Sequence, residues 1–297
     1  MNDQEKGVDL HVHTKLSDGK LSLLELIDYA VSCNLQAIAI TDHNTYDPSI
    51  EELKSSAPLT IITGSEFSTQ FRFRSGRTKS IHIKGLFFDY RHPQIQAIFH
   101  HEKEDKINFV KAILSKLRQA GIQITYEELI QTFPQTQSPG RVHICELLRR
   151  KGYVSDVSEG LDLYIGESGE KRCYVNPLDY CSSIPMEDCI HAILNAKGMP
   201  DLAHPYYYGL DESELHELIS SFKQHAQDAG CMEVYYRDYS ALEQQHLFHL
   251  AMYYQLLPSC GSDYHGFYSQ ETLISYPYSI YEAILNRYQK LYGVSPL

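Results

Sequence analysis

Seven short apolar runs in this chain break off at, or carry, a side chain able to bind a metal, and no other feature narrows the fold as far. Residues 8–13 (VDLHVH) close on His11 and His13, and residues 36–41 (QAIAIT) run into Asp42 and His43. Residues 59–64 (LTIITG) run into Glu66, residues 81–88 (IHIKGLFF) carry His82, and residues 199–203 (MPDLA) run into His204. Residues 231–236 (CMEVYY) carry Glu233, and residues 256–261 (LLPSCG) run into Asp263 and His265. Each run has the length of a buried strand, about five or six residues. Helical patterns lie between them. In residues 22–33 a stripe of Leu23, Leu26, Ile27, Ala30 and Val31 follows Ser22, which with Glu25 forms a capping box. Residues 212–229 and 241–255 read as two more helices, each leading into a strand. Strands alternating with helices pair in parallel, so the expectation is an α/β fold, and seven such strands suggest a closed or nearly closed barrel.

The rhythm stops between about residues 89 and 196. Residues 107–120 form an amphipathic helix ending at Gly121, residues 125–133 and 142–151 are two further helical patterns, and residues 162–174 are a Gly- and charge-rich connector. Residues 186–197 lead back to the next strand. The expected organisation is a discontinuous barrel, 1–88 and 197–297, interrupted by a helical insertion domain over 89–196. One terminal helix is expected at about 279–292.

Composition limits what such a chain does. With 43% hydrophobic residues in 297, a sizeable core is available. There is no apolar run near the ~18 residues of a membrane span, and the opening residues 1–7 are polar, so the expected location is cytoplasmic without membrane contact. Seven cysteines without a C-x-x-C pair read as reduced, mostly packed side chains. Lys and Arg number 26 against 38 Asp and Glu, a net charge of −12, which argues against duplex nucleic acid as a partner. It leaves room for gripping one phosphate-bearing end through bound metal.

Histidine is abundant, with 15 residues. Six of them join three carboxylates at the strand ends: His11, His13, Asp18, His43, Glu66, His82, His204, Asp263 and His265. His11 and His13 project from one face of a strand, and Asp263 and His265 repeat the spacing. A barrel gathers such residues at its C-terminal mouth. Imidazole and carboxylate donors suit Mn, Fe or Zn. Nine ligands exceed the roughly four to six that one ion takes and would serve two or three divalent ions.

The opening "DLHVHTKLSDGKLSLLELIDYAVSCNLQAIAITDHNT" resembles that of the polymerase-and-histidinol-phosphatase (PHP) family. The resemblance extends through His11-Val12-His13 with Asp18, Thr41-Asp42-His43, Gly64-Ser65-Glu66 with His82, Ala203-His204-Pro205, and Gly261-Ser262-Asp263-Tyr264-His265. It covers residues 8–88 and 199–266. It implies a distorted (β/α)7 barrel with a trinuclear metal site that hydrolyses phosphoesters by a metal-bridging hydroxide. It places one ion on His11, His13, Glu66 and Asp263, a second on Asp18, His43 and His265, and a third on His82 and His204 with Glu66 bridging. Within the family, the insertion, Gly140-Arg141-Val142-His143, "LDLYIGESGEKRCYV" (161–175) and "CMEVYY" resemble the branch that hydrolyses nucleoside 3′,5′-bisphosphates and trims the 5′ ends of short RNAs.

Roles follow from the chemistry. Arg141 is the candidate phosphate clamp, since guanidinium pairs bidentately with phosphate, and the alternative is a surface arginine at a helix start. His143 would donate to phosphate or to the leaving oxygen, or else lies on a helix surface. Asp42 would orient a ligand imidazole, or cap the following turn. Tyr207, in the run Tyr206-Tyr207-Tyr208, could stack on a base. Three departures from the branch's pattern bear on substrate choice. Tyr207 stands where an arginine is common, Arg237 is a possible compensating cation, and Lys103 and Lys106 alone represent a basic helix. Rival readings are an amidohydrolase-like enzyme with a carbamylated Lys84 bridging metals, another small-molecule phosphatase on the same ions, a non-catalytic nucleotide-binding metal module, and a free-standing proofreading exonuclease.

Overall fold

The computed structural model describes residues 7–137, 139–166, 173–180, 184–268 and 271–295. In chain order the elements are β1 (Gly7–Val12), α1 (Leu23–Ser32), β2 (Leu35–Ile40), α2 (Ser49–Leu53), β3 (Thr60–Arg72), β4 (Thr78–Leu86), α3 (Pro93–Gln119), α4 (Tyr126–Thr132), α5 (Arg141–Arg150), α6 (Val157–Gly160), α7 (Met186–Asn195), β5 (Met199–Leu202), α8 (Glu212–Ala226), β6 (Cys231–Tyr236), α9 (Ala241–Tyr253), β7 (Leu257–Gly261), β8 (Tyr276–Pro277) and α10 (Tyr278–Tyr292). Among the described residues no helix is long and apolar enough to cross a membrane. Among the described residues Cys33, Cys145, Cys189, Cys231 and Cys260 form no disulfide, and Cys181 lies outside the described residues.

One sheet runs in the order β7-β6-β5-β4-β3-β2-β1-β8. It is parallel from β1 to β3 and from β5 to β7, as the β-α alternation predicts. It departs at β4, which is antiparallel to both β3 and β5. The cause is chain length: residues 73–77 join β3 to β4, whereas a parallel crossover needs about a dozen or more. The turn is closed by Phe73 N–H donating to the Arg77 carbonyl at 2.8 Å, with Gly76 at φ +86°. β3 therefore continues well beyond the expected 59–64, and His82 sits within a strand, opposite Ser68, rather than at a strand's C-terminal end. The ring nearly closes between β1 and the segment after β7. His13 N–H donates to the Tyr264 carbonyl, Asp263 N–H to the His11 carbonyl, and buried Asp9 accepts from Ser262 N–H.

Helix α1 starts as its sequence directs, with Ser22 and Glu25 forming the reciprocal capping box. Helix α3 is longer than the pattern over 107–120 suggests. It begins at Pro93, a residue suited to the first helical position, and runs for 27 residues. Its first turns put Ile95 and Ile98 into the core between the sheet and helices α7, α8 and α9. Its later turns, from Phe109 to Leu117, join α4, α5 and α6 in a separate apolar core with Ile144, Leu148 and Val175. Helix α7 packs on β3, β4 and β5, with Cys189, Ile190 and Ile193 in the barrel's core. The buried residues of that second core run from Phe109 to Val175, within the 89–196 expected as an insertion. Part of the 161–175 connector, residues 167–172, lies outside the described residues.

Candidate metal centre and its cavity

Glu66, on β3, is the hub of the site. Its Oε2 lies 3.3 Å from His11 Nε2, 3.4 Å from His13 Nε2 and 3.1 Å from His43 Nδ1. Its Oε1 lies 2.9 Å from His82 Nδ1 and 3.0 Å from His204 Nε2. Asp263 Oδ1 faces the same imidazoles from the other side, 3.3 Å from His11 Nε2 and 3.1 Å from His13 Nε2. Asp18 Oδ1 is 3.3 Å from His265 Nε2, and its Oδ2 is 3.7 Å from His43 Nε2. All nine residues singled out in the sequence converge. Eight of them fall into three groups with donor atoms within 4.8 Å of one another: His11, His13, Glu66 and Asp263; His13, Asp18, His43 and His265; and His43, Glu66 and His82. His204, expected beside His82, belongs to none of these groups and meets only Glu66 among the carboxylates of the cluster. His13 thus faces the second group as well as the first, and His43 the third as well as the second.

These separations test whether the residues fit cations. A coordination polyhedron with arms of about 2.1 Å has edges of roughly 3.0 Å if octahedral and 3.4 Å if tetrahedral. The contacts around Glu66 and Asp263 span that interval. His11 Nε2, both ring nitrogens of His13, His43 Nδ1, His204 Nδ1 and Asp18 Oδ1 are buried without a hydrogen-bond partner. Buried polar atoms are seldom left so, and an ion answers the deficit. Burial alone would lower His11, but Glu66, Glu233 and Asp263 push it up to about 9, and Asp263 and Glu66 likewise hold His13 well above its usual value. Burial would raise Asp18, Glu66 and Asp263, yet neighbouring imidazoles hold all three well below the usual carboxylate range. Without a cation these carboxylates favour the protonated forms of His11 and His13, and a divalent ion would take the place of those protons. The donor set fits divalent metal.

The backbone around the ligands is constrained. His204 adopts φ +28° and Asp263 φ +53°, a region uncommon for residues other than glycine. Gly261 must lack a side chain, because a Cβ there would collide with the Cβ of His11 and with Glu233 Oε1.

Behind the ligands stands a set of residues the sequence did not single out for it. Fully buried Glu233 on β6 lies 3.1 Å from His11 Nδ1 and accepts from the His204 backbone N–H at 2.8 Å. Burial would raise it, but Lys84 and His11 bring it down to about 2. Lys84, on β4, is itself fully buried and lies 2.6 Å from Glu233 and 3.1 Å from Asp201. Burial opposes its charge, and the two carboxylates hold its pKa above the usual value. An ammonium so held is not the carbamylated bridge of the amidohydrolase-like reading; it is a counterion. Tyr236 donates to Asp263 Oδ2 at 3.0 Å. Glu271 accepts from the backbone N–H groups of His265 and Gly266 and from Arg237 Nη1, fixing the loop that carries His265. Glu233 was visible as a carboxylate inside an apolar run; nothing local marks Glu271.

Asp42 differs from expectation. Its carboxylate accepts from Thr14 N–H at 2.8 Å, Thr14 Oγ1 at 2.6 Å and the hydroxyl of Ser17. It orders the loop between His13 and Asp18 and contacts no ligand imidazole in this hydrogen-bond set.

A cavity of about 440 Å³ opens over the ligands, lined on the insertion side by Lys106, Phe109 and Arg141 and on the barrel side by Tyr207 and Arg237. The Arg141 guanidinium lies 5.7 Å from the Phe109 ring centre. Tyr207 is 74% exposed at the mouth. Arg237 has Nη1 occupied by Glu271 at 2.6 Å and Nε 3.4 Å from Asp238. His143 stands behind the wall: it is buried, its Nδ1 accepts from Gly140 N–H at 3.2 Å, its ring meets Phe133, and burial lowers its pKa to about 4.

The family described as PHP domain matches residues 9–295. The 5′-3′ exoribonuclease Rnm of Escherichia coli K12 is 33% identical over 261 residues, covering 86% of this chain and 84% of that protein. The 3′,5′-nucleoside bisphosphate phosphatase of Chromobacterium violaceum is 29% identical over 262 residues, covering 87% of each. A solved structure from Chromobacterium violaceum, described as an amidohydrolase with bound sulfate and no metal, superposes with a TM-score of 0.80 at 25% identity, covering 95% of this chain and 96% of that one.

Proposed function

Because the chain belongs to the PHP family and is a metal-dependent phosphoesterase, we propose that it hydrolyses a phosphate ester of a nucleotide, either a nucleoside 3′,5′-bisphosphate or the 5′ end of a short RNA. The observation that carries this reading is the arrangement of the cavity: a floor of imidazoles and carboxylates under a wall bearing Lys106, Arg141 and Arg237. A floor that holds cations beneath further cations suits a substrate with more than one phosphate. The similar proteins named as an exoribonuclease and as a bisphosphate phosphatase support the same class.

Two or three divalent ions, Mn, Fe or Zn, would be held by His11, His13, Asp18, His43, Glu66, His82, His204, Asp263 and His265. Bound there, they supply hydroxide at neutral pH and neutralise charge on the phosphoryl group. The chain's own residues do the rest. A water oxygen bonds to phosphorus as the phosphorus–oxygen bond to the nucleoside breaks, and the proton that the water gives up balances the one that the departing oxygen takes up. Arg141 pairs with a phosphate oxygen from the wall. His143 serves by tying down Gly140 and so the start of α5, which aims Arg141. Tyr207 offers its ring to the base at the mouth. Arg237, partly engaged by Glu271, adds charge rather than a free fork.

The test is phosphate release from adenosine 3′,5′-bisphosphate, with AMP and an aryl phosphate alongside, each with Mn²⁺ and again after chelation. The expected result is strong preference for the bisphosphate, lost on chelation. Turnover of the aryl phosphate alone would leave the phosphoesterase in place and overturn the nucleotide assignment.

A further inference from the structure

A second cavity, about 520 Å³, adjoins the first and shares two of its wall residues, Asn44 and Glu102. Its remaining lining includes Tyr90, Gln96, Phe99 and Lys103. Its volume falls within the roughly 300–1,000 Å³ of ordinary small-molecule sites. The partition is built rather than incidental. Asn44, at φ +50°, is fixed by both amide atoms: its Oδ1 accepts from Ser68 N–H at 2.8 Å, and its Nδ2 donates to Ser68 Oγ at 3.0 Å. Glu102 is 4% exposed, and its Oε1 is buried with no hydrogen-bond partner. An unanswered buried carboxyl oxygen between two cavities is a place for a ligand's hydroxyl or amino group. On helix α3, Lys103 lines the second cavity and Lys106 the first, so a cation stands on each side of that carboxyl.

We propose that the second cavity is a nucleotide subsite, which holds the nucleotide attached through the cleaved phosphate when the substrate is a short RNA. The proposal rests on the reading of the function given above. The first cavity has the volume for one nucleotide, and the neighbour that shares Asn44 and Glu102 with it lies within reach of the next nucleotide of a longer substrate. Aromatic edges, an amide and a cation match a base, its ribose and a phosphate. A net charge of −12 leaves no broadly basic surface to hold RNA, so preference for a chain over a mononucleotide has to come from enclosed contacts of this kind.

Two substrates separate the cavities. Adenosine 3′,5′-bisphosphate has no second nucleotide, while the 5′-phosphorylated dinucleotide pApA has one. With the full chain and Mn²⁺, Lys103→Gln should raise KM for pApA about fivefold, and Lys103→Glu about tenfold or more, as expected for a lost or reversed cation contact. KM for the bisphosphate should stay within about twofold. Equal shifts on both substrates, no shift on pApA, or wild-type enzyme that cleaves the bisphosphate but not pApA, would each overturn the subsite. Failure of the wild-type enzyme on both substrates would overturn the nucleotide reading itself, and the subsite with it.

Discussion

The barrel floor and the wall of the insertion face each other across one cavity and are built in opposite ways. In the floor, ligands are held twice. His11 turns Nε2 toward Glu66 and Asp263 and is held by Glu233 through Nδ1; Asp263 is held by Tyr236, and the loop of His265 by Glu271. In the wall, Arg141 and Lys106 reach out on long side chains from helices whose cores lie elsewhere. A rigid floor suits chemistry that needs fixed distances, and a wall of flexible cations suits recognition. Substitutions in the floor should therefore cost turnover or stability, and those in the wall should cost affinity.

The largest effect belongs to the ligands. His11→Ala and Asp263→Ala should each reduce turnover by about a thousandfold or more, with bound metal reduced in elemental analysis. Full activity in either variant would end the assignment of catalysis to this cluster. Next comes the buried counterion. Lys84→Met leaves Asp201 and Glu233 facing each other without a cation, and a broken buried pair costs about 3–5 kcal/mol. Denaturant unfolding should register that loss, and an unchanged midpoint would mean that the two carboxylates take up protons at little cost. Glu233→Gln keeps the shape and removes the charge behind His11, so metal affinity should fall about 10–100-fold with the fold intact, as read by metal titration.

The wall breaks the comparison from the other side. Arg141→Ala should raise KM for the bisphosphate about tenfold while kcat changes less, the mark of binding lost more than chemistry. A fall in kcat with KM unchanged would move Arg141 into the machinery of the reaction and erase the division between floor and wall.

How much of this was readable from the chain follows the same division. The floor was legible because its signal is local: His11 and His13 stand two apart at the end of β1, Asp263 and His265 stand two apart just after β7, and the apolar runs lead into or carry a side chain of ligand type. Helix α1 was legible through Ser22 and Glu25 for the same reason. The reversal at β4 was not, because residues 59–64 and 81–88 look alike whichever way they pair, and only the five residues between Arg72 and Thr78 exclude a parallel crossover. The start of α3 was hidden by mixed charge over residues 100–106, where His100, Lys103 and Glu104 are exposed, and its buried face before them rests on Ile95 and Ile98 alone. Residues such as Glu271 and Lys84 owe their roles to partners 34 and 149 positions away, Arg237 and Glu233, and no periodicity registers a contact at that distance.

Glu102 offers the finest test, since it sits where floor and wall meet. Burial raises its carboxyl to about 7 from a usual 4.5, with Asp105 adding to the shift. A raised carboxyl means that the folded chain binds a proton that the unfolded chain has released. The contribution of that proton to folding is whole below pH 4.5, is lost as pH rises from 4.5 through 7, and changes little above that. From pH 6 to pH 8 the loss amounts to about 1 kcal/mol. Glu102→Gln has no such proton to lose. The stability difference, variant minus wild type, should therefore move in favour of the variant by about that amount as pH rises from 6 to 8, read from denaturant midpoints at each pH. A difference that stays flat would mean that Glu102 is ionised throughout this range, with solvent or a cation reaching it from one of the two cavities it divides.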